Sequence, residues 1–184
     1  MTPGRARRLT RKQLPLAALA ALALLFFLAR GGGLLRDVFR PAPEPAPGWY
    51  RVERVIDGDT LKVYPNPSPA SDQGDRIRLI GVDTPETVRP DYPVEYFGRE
   101  AAAFTRRLCE GRRVRLEFDP AAGQDRYGRT LAYVYLEDGT FVNAEIIRQG
   151  YGHAYTNFPF AYLEEFRALE REARESHRGL WAQD

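Results

Sequence analysis

The sequence predicts an α+β, mainly β domain: a five-stranded Greek-key barrel of the OB type with about three helices, preceded by an N-terminal hydrophobic helix. Three observations carry this. Five short runs alternate apolar and polar residues, the period of a half-buried strand. One helical stretch separates the third run from the fourth and two more follow the fifth, an order (βββ-α-ββ-α-α) that suits a small closed barrel. The composition, 43% hydrophobic and 28% charged over 184 residues, is that of one globular domain with an appendage.

The appendage is N-terminal. A basic segment, residues 1–13, precedes an uncharged apolar run, Leu14–Ala29, which Gly31–Leu35 extends past Arg30. Basic start followed by apolar run is the order of a signal peptide or a signal anchor. Phe27-Leu28-Ala29-Arg30 lacks the small-residue cleavage pattern, so an uncleaved anchor or transmembrane helix over 14–35 is the expectation, and a cleaved, secreted form is the alternative. Positive charge is denser before the run than after it. This predicts a cytoplasmic N-terminus and a single-pass protein whose domain faces away from the cytoplasm at the cell membrane. Residues 36–48 are a Pro-rich linker, stiffened by the alternating prolines of Pro41–Pro47. The domain proper is 49–184.

The domain opens with strands over Tyr50–Asp57 and Thr60–Tyr64, joined by the tight bend Asp57-Gly58-Asp59. Pro65–Asp75 is a loop. Arg76–Val82 is a third strand with Ile77 and Leu79 facing in and Arg78 facing out. A polar and aromatic loop, Asp83–Phe97, leads to a helix over Gly98–Glu110 that Gly111 ends. Strands follow at Arg113–Phe118 and Thr130–Leu136, with a turn at Asp138-Gly139. Asn143–Gln149 reads as a short helix with Asn143 as N-cap and Gly150 as stop. Ala161–Ser176 is an amphipathic helix with Tyr162, Phe166 and Leu169 on one face.

Charge bounds the function. Residues 1–48 carry eight Lys and Arg against Asp37 and Glu44, a net +6, which leaves −4 for 49–184 out of the total of +2. Net charge thus gives no support for a broad basic face for nucleic acid, and phosphate chemistry must rest on local arginines and a bound cation. Cys109 is the single cysteine, so no intrachain disulfide forms, and its helical apolar neighbours make it a buried small hydrophobe. His153 and His177 have no partner motif and are read as ordinary. No Cys/His cluster exists for zinc.

The chemistry concentrates in Ile77–Glu86. Arg78 offers a cation for phosphate, and Asp83 and Glu86 offer oxygens for a hard metal, all within nine positions. Asp57-Gly-Asp59-Thr60 and Asp125-Arg-Tyr-Gly-Arg129 are expected to converge on it. Read alone, Asp59 would be an ordinary Asp-Gly turn residue and Asp83 the start of an Asx-turn before Pro85.

Taken together, these stretches resemble the staphylococcal nuclease (thermonuclease) family. The carriers are Val55-Ile-Asp-Gly-Asp-Thr60, Arg78-Leu-Ile-Gly-Val-Asp-Thr-Pro-Glu86, Asp125-Arg-Tyr-Gly-Arg129-Thr-Leu-Ala-Tyr133, Val142-Asn143 with Arg148-Gln-Gly150, and Leu180-Trp181, in family order across 49–184. The resemblance implies an OB-fold, sugar-non-specific endonuclease that uses Ca2+ to hydrolyse single-stranded or locally melted DNA and RNA, leaving 3′-phosphate ends. It implies Asp59, Asp83 and the Thr84 carbonyl as metal ligands and Glu86 as the group that orients or deprotonates the water. It places Arg78 on the phosphate, Arg129 towards the leaving 5′ oxygen, and Tyr127 and Tyr155 against the nucleoside. The alternative is an inactive OB module that binds nucleic acid or a partner protein. Such a module would be expected to lack several of Asp59, Arg78, Asp83, Glu86 and Arg129, and all five are present.

Overall fold

Side-chain alternation builds the barrel. In β1 (Gly48–Asp57), Tyr50, Val52 and Val55 are buried while Trp49, Arg51, Glu53 and Arg54 face out. The two successive outward residues, Glu53 and Arg54, coincide with a register break against β2 (Thr60–Tyr64). Such a break bends the strand, which lets β1 serve two neighbours around a closed ring. The computed structural model describes residues 48–69, 71–87, 93–119 and 123–182. The predicted basic segment and anchor, and the linker up to residue 47, lie outside the described residues. Among the described residues no helix is long and apolar enough to cross a membrane.

β3 is Arg76–Leu79, shorter than the predicted Arg76–Val82. Gly81, at φ 73°, breaks it, and a two-residue β4 (Val82–Asp83) resumes in a different direction of pairing. A side chain at Gly81 would also run into the Phe160 ring, at 2.6 Å, so this corner requires glycine twice over. α1 (Gly98–Cys109) ends at Gly111, φ 77°, before β5 (Arg113–Glu117) and β6 (Thr130–Leu136). α2 (Val142–Arg148) precedes a two-residue β7 (His153–Ala154), and α3 (Leu163–Glu175) is followed by a 3-10 turn at Gly179–Trp181.

The closed barrel runs β1-β2-β3-β6-β5, with every pairing antiparallel except β3 against β6. That is the predicted five-stranded Greek-key OB barrel with three helices. Ile77, Leu79, Val114, Leu116, Ala132 and Val134 fill it, and Ile146, Ile147 and Phe166 close one end from α2 and α3. Cys109 is fully buried, and burial pushes its thiol up to about 12, so it packs and does not react.

Asn143 corrects the sequence reading. It is not an N-cap: Phe141 holds that position without a side-chain hydrogen bond. Asn143 is fully buried, its Oδ1 accepting from the Val134 N–H (2.9 Å) and its Nδ2 donating to the Ile80 carbonyl (2.9 Å) and to that of Ala132 (3.4 Å). The backbone groups freed where β3 leaves the ladder are thereby satisfied by a side chain. The pair β4–β7 was not legible in advance, because two-residue strands carry no periodic signal. It nonetheless aims Asp83, which registers opposite His153.

Candidate active site

The bend between β1 and β2 places Asp59 at the mouth of the barrel, with only 4% of its surface exposed. Glycine at position 58 is demanded less by the bend than by contact, since a Cβ there would lie 2.6 Å from the Thr84 hydroxyl oxygen. This close approach lets the Thr84 N–H donate to Asp59 Oδ2 (3.0 Å), while the Thr60 hydroxyl donates to Asp59 Oδ1 (3.0 Å). Asp59 and the Asp83–Thr84 segment, distant in sequence, are thus locked side by side.

Arg78 rises from the outward face of β3 between the two acids. Its Nη1 pairs with Asp59 Oδ2 and its Nη2 with Asp83 Oδ1 at 3.0 Å. Burial lowers its pKa from the ordinary arginine value, opposed by Asp83, and the guanidinium stays charged at neutral pH. These carboxylates therefore do not present their full negative charge to an anionic substrate when no metal is bound. Arg78 already neutralises much of the cluster, because the strand alternation that turns it outward also turns it onto them.

Glu86 lines the same cavity, of about 220 Å³, as Asp59, Asp83, Thr84, Arg78 and Arg129. Its Oε1 accepts from the Thr87 N–H (3.1 Å). Its carboxyl also meets that of Asp57. Burial first, and then the hydrogen bond with Glu86, push the Asp57 carboxyl up to about 6. Asp57, which in sequence reads only as part of a bend, accepts from the Gly58 N–H (2.8 Å) and the Thr87 hydroxyl (2.7 Å).

Arg129 enters from the other side of the ring. Asp125 holds it, accepting from Arg129 Nε at 2.6 Å with one oxygen and from the Tyr127 and Arg129 N–H groups at 2.9 and 3.0 Å with the other. Arg129 Nη1 also donates to the Thr60 hydroxyl (3.2 Å), which ties it to the Asp59 side. Asp125 and Thr60 are positioning residues that the sequence reading did not single out. The signal was available for Asp125: an Asp opening a short turn with glycine at its fourth position is Asx-turn chemistry.

Tyr127 and Tyr155 stand on the walls of one larger cavity, about 570 Å³, which Arg78, Asp83, Asp125 and Phe158 also line. Tyr127 is 60% exposed, with the Arg126 and Arg129 guanidiniums over its ring at 4.8 and 5.4 Å. Tyr155 is set by its N–H, which donates to the Gly81 carbonyl (2.9 Å), and it leans on Phe158. His153 meets Glu170 at 3.2 Å and packs edge-on to Trp181 with ring centroids 5.0 Å apart, a packing role.

All eight residues singled out for chemistry therefore border these two adjoining cavities. Residues 76–183 match the family model described as "Staphylococcal nuclease homologue". The chain belongs to the staphylococcal nuclease family. It is 37% identical over 168 residues to the thermonuclease of Staphylococcus intermedius, covering 89% of this chain and 92% of that protein. It is 40% identical over 134 residues to the thermonuclease of Staphylococcus hyicus, covering 72% and 75%. To the endonuclease YncB of Bacillus subtilis (strain 168) it is 37% identical over 133 residues, covering 71% of this chain and 60% of that one. The family match starts at Arg76, and Asp59 lies before it on the β1–β2 hairpin.

The donor set suits a hard cation. Asp59 and Asp83 converge closely enough to share one guanidinium, and oxygen is their only donor atom. Among the described residues no three His, Cys, Asp or Glu side chains gather as a cage. An ion held here would complete its shell with backbone carbonyl and water oxygens, which calcium accepts.

Proposed function

We propose that this chain is a calcium-dependent endonuclease that hydrolyses DNA and RNA phosphodiesters by attack of water, leaving 3′-phosphate ends. The observation that carries the reading is the convergence of Asp59, Asp83, Glu86, Arg78 and Arg129 on one cavity of about 220 Å³. Family membership and the thermonuclease and endonuclease relatives support it.

Asp59, Asp83 and the Thr84 carbonyl would hold calcium, which when bound polarises a phosphate oxygen and the attacking water. Glu86 accepts or orients the water proton from the adjacent wall. Arg78 exchanges its carboxylate partners for the phosphate oxygens when substrate enters. Arg129, kept in place by Asp125, donates to the oxygens that gain charge as the P–O5′ bond breaks. Tyr127 and Tyr155 stack on the base without reading it, which suits substrates of either sugar and any sequence. The constellation asks for a strand whose base can be splayed out, hence single-stranded or locally melted substrate.

Purified full-length protein is expected to cleave single-stranded DNA and RNA in calcium and to stop when a chelator is added. Glu86→Gln is expected to lower kcat about 10²–10⁴-fold. Binding without cleavage under every metal condition would instead identify an inactive OB module.

We also propose that residues 14–35 anchor the protein in the cell membrane, with the domain outside the cytoplasm beyond the 36–48 linker. Membrane fractionation with an immunoblot for size tests this. An anchored form sediments with membranes at full length, whereas a shortened soluble form would establish secretion.

A further inference from the structure

A third cleft, of about 370 Å³, lies beside Arg129 and is lined by Gln73, Arg76, Tyr127 and Arg129. Arg76 also borders the carboxylate cavity, so it stands where the two meet. Four arginines line these cavities, and three are engaged. Arg78 holds Asp59 and Asp83, Arg129 holds Asp125 and Thr60, and Arg126 donates to the Tyr127 hydroxyl at 2.7 Å. The Arg76 guanidinium, exposed on the outward face of β3, makes no hydrogen bond or ion pair with the described residues.

The opposite wall is built, and it comes from the long loop between β2 and β3. The Ser71 hydroxyl donates to the Gly128 carbonyl (2.8 Å), the Gln124 amide to the Ser68 hydroxyl (3.2 Å), and the Thr130 hydroxyl to the Gly74 carbonyl (3.0 Å). Within the loop, the Arg76 N–H donates to the Gln73 carbonyl (2.9 Å). The loop is thus fastened to the turn that carries Tyr127 and Arg129, and none of its described residues lines the carboxylate cavity. Gln73 and Arg76 flank a cleft whose far side is the Arg129 turn.

We propose that this cleft binds a second phosphate of a polynucleotide, next to the scissile one, with Arg76 as its cation and Gln73 as a neutral donor. The inference rests on the nuclease reading above. Arg76 and Arg78 are two residues apart on one face of a strand, about 6–7 Å along it. A backbone whose scissile phosphate meets Arg78 and Arg129 therefore brings its neighbour within reach of Arg76. The nucleoside cavity with Tyr155 and Phe158 takes the chain on one side of the scissile phosphate, and the Gln73–Arg76 cleft takes it on the other. A guanidinium, an amide and a tyrosine ring edge recognise phosphate and sugar without reading bases. The substrate class is then a strand with phosphates on both sides of the cut, in preference to a single phosphodiester. In a domain of net charge −4 this supplies local affinity that the overall field does not.

The test compares a single-stranded DNA 12-mer with a p-nitrophenyl ester of thymidine 5′-phosphate, which has one phosphodiester. In Arg76→Gln the ratio of kcat/KM for the 12-mer to that for the ester is expected to fall about tenfold, mostly through KM. The slope of log KM against log salt should shrink by about 0.7, the release from one single-strand phosphate. Arg76→Lys should keep the slope. An unchanged ratio, or equal losses on both substrates, overturns the proposal. If the wild-type protein cleaves neither substrate, the nuclease reading fails instead. Binding of a fluorescent 12-mer across a salt series still decides the cleft: equal slopes for wild type and Arg76→Gln reject it, and a shallower slope for the variant upholds it.

Discussion

Replacing Arg129 by alanine is expected to lower kcat on single-stranded DNA by about 10²–10³-fold, the loss typical of one donor aimed at charge that develops in a transition state. The geometry explains why the effect should fall on kcat. Asp125 and Thr60 fix the guanidinium through Nε and Nη1 before substrate arrives, so no reorganisation accompanies the reaction. The turn itself should survive, because Asp125 still accepts from the Tyr127 and Arg129 N–H groups. The free energy of unfolding in urea should therefore fall by no more than about 1–2 kcal/mol, the size of a partly exposed charged hydrogen bond. Retention of more than a tenth of the wild-type kcat would remove Arg129 from the transition state. Asp125→Asn is the companion variant. It keeps the turn-closing acceptor but loses the charge that orients Arg129, so an intermediate loss of kcat is expected.

The second large effect concerns the frame. Asn143→Ala is expected to destabilise the domain by about 2–4 kcal/mol in urea unfolding, because it leaves the Val134 N–H and the Ile80 carbonyl without their side-chain partner in a dry interior. These two groups lie where β6 passes the end of β3, immediately before the Gly81 corner that sends Asp83 and Thr84 to the site. Activity measured below the melting transition should fall as well, since that corner sets the ligand geometry. A variant with wild-type stability would mean that water replaces the amide without cost.

Much of the barrel could be read from alternation alone. Thr60–Tyr64 and Thr130–Leu136 have the predicted limits, because the apolar residues Leu61 and Val63, and Ala132, Val134 and Leu136, recur at every second position and are buried. The elements misread are those whose cause is not local. Asn143 looks like a cap in sequence, since Asn before a helical run is a common N-terminal signal. It is a buried clamp because β3 and β6 happen to pass it. The third strand reads through to Val82 by pattern, yet Gly81 turns it so that β4 can meet β7.

The closed barrel, the oxygen-rich and cysteine-free chemistry, and the arginines and carboxylates around which the site is built can all be read along the chain. Residue type and spacing carry that information, because hydrophobic period and ligand hardness are local properties. Which groups hold one another emerges in the folded domain. Arg78 lies across both carboxylates, Asp57 faces Glu86, Asp125 orients Arg129, and the loop between β2 and β3 fastens to the Arg129 turn and so frames Arg76. Apart from the Asp125–Arg129 contact, which lies within one turn, these pairings join segments or faces that meet only when the ring closes. Distances across a closed barrel depend on strand register and on which side of each strand a side chain emerges, and no local pattern specifies both.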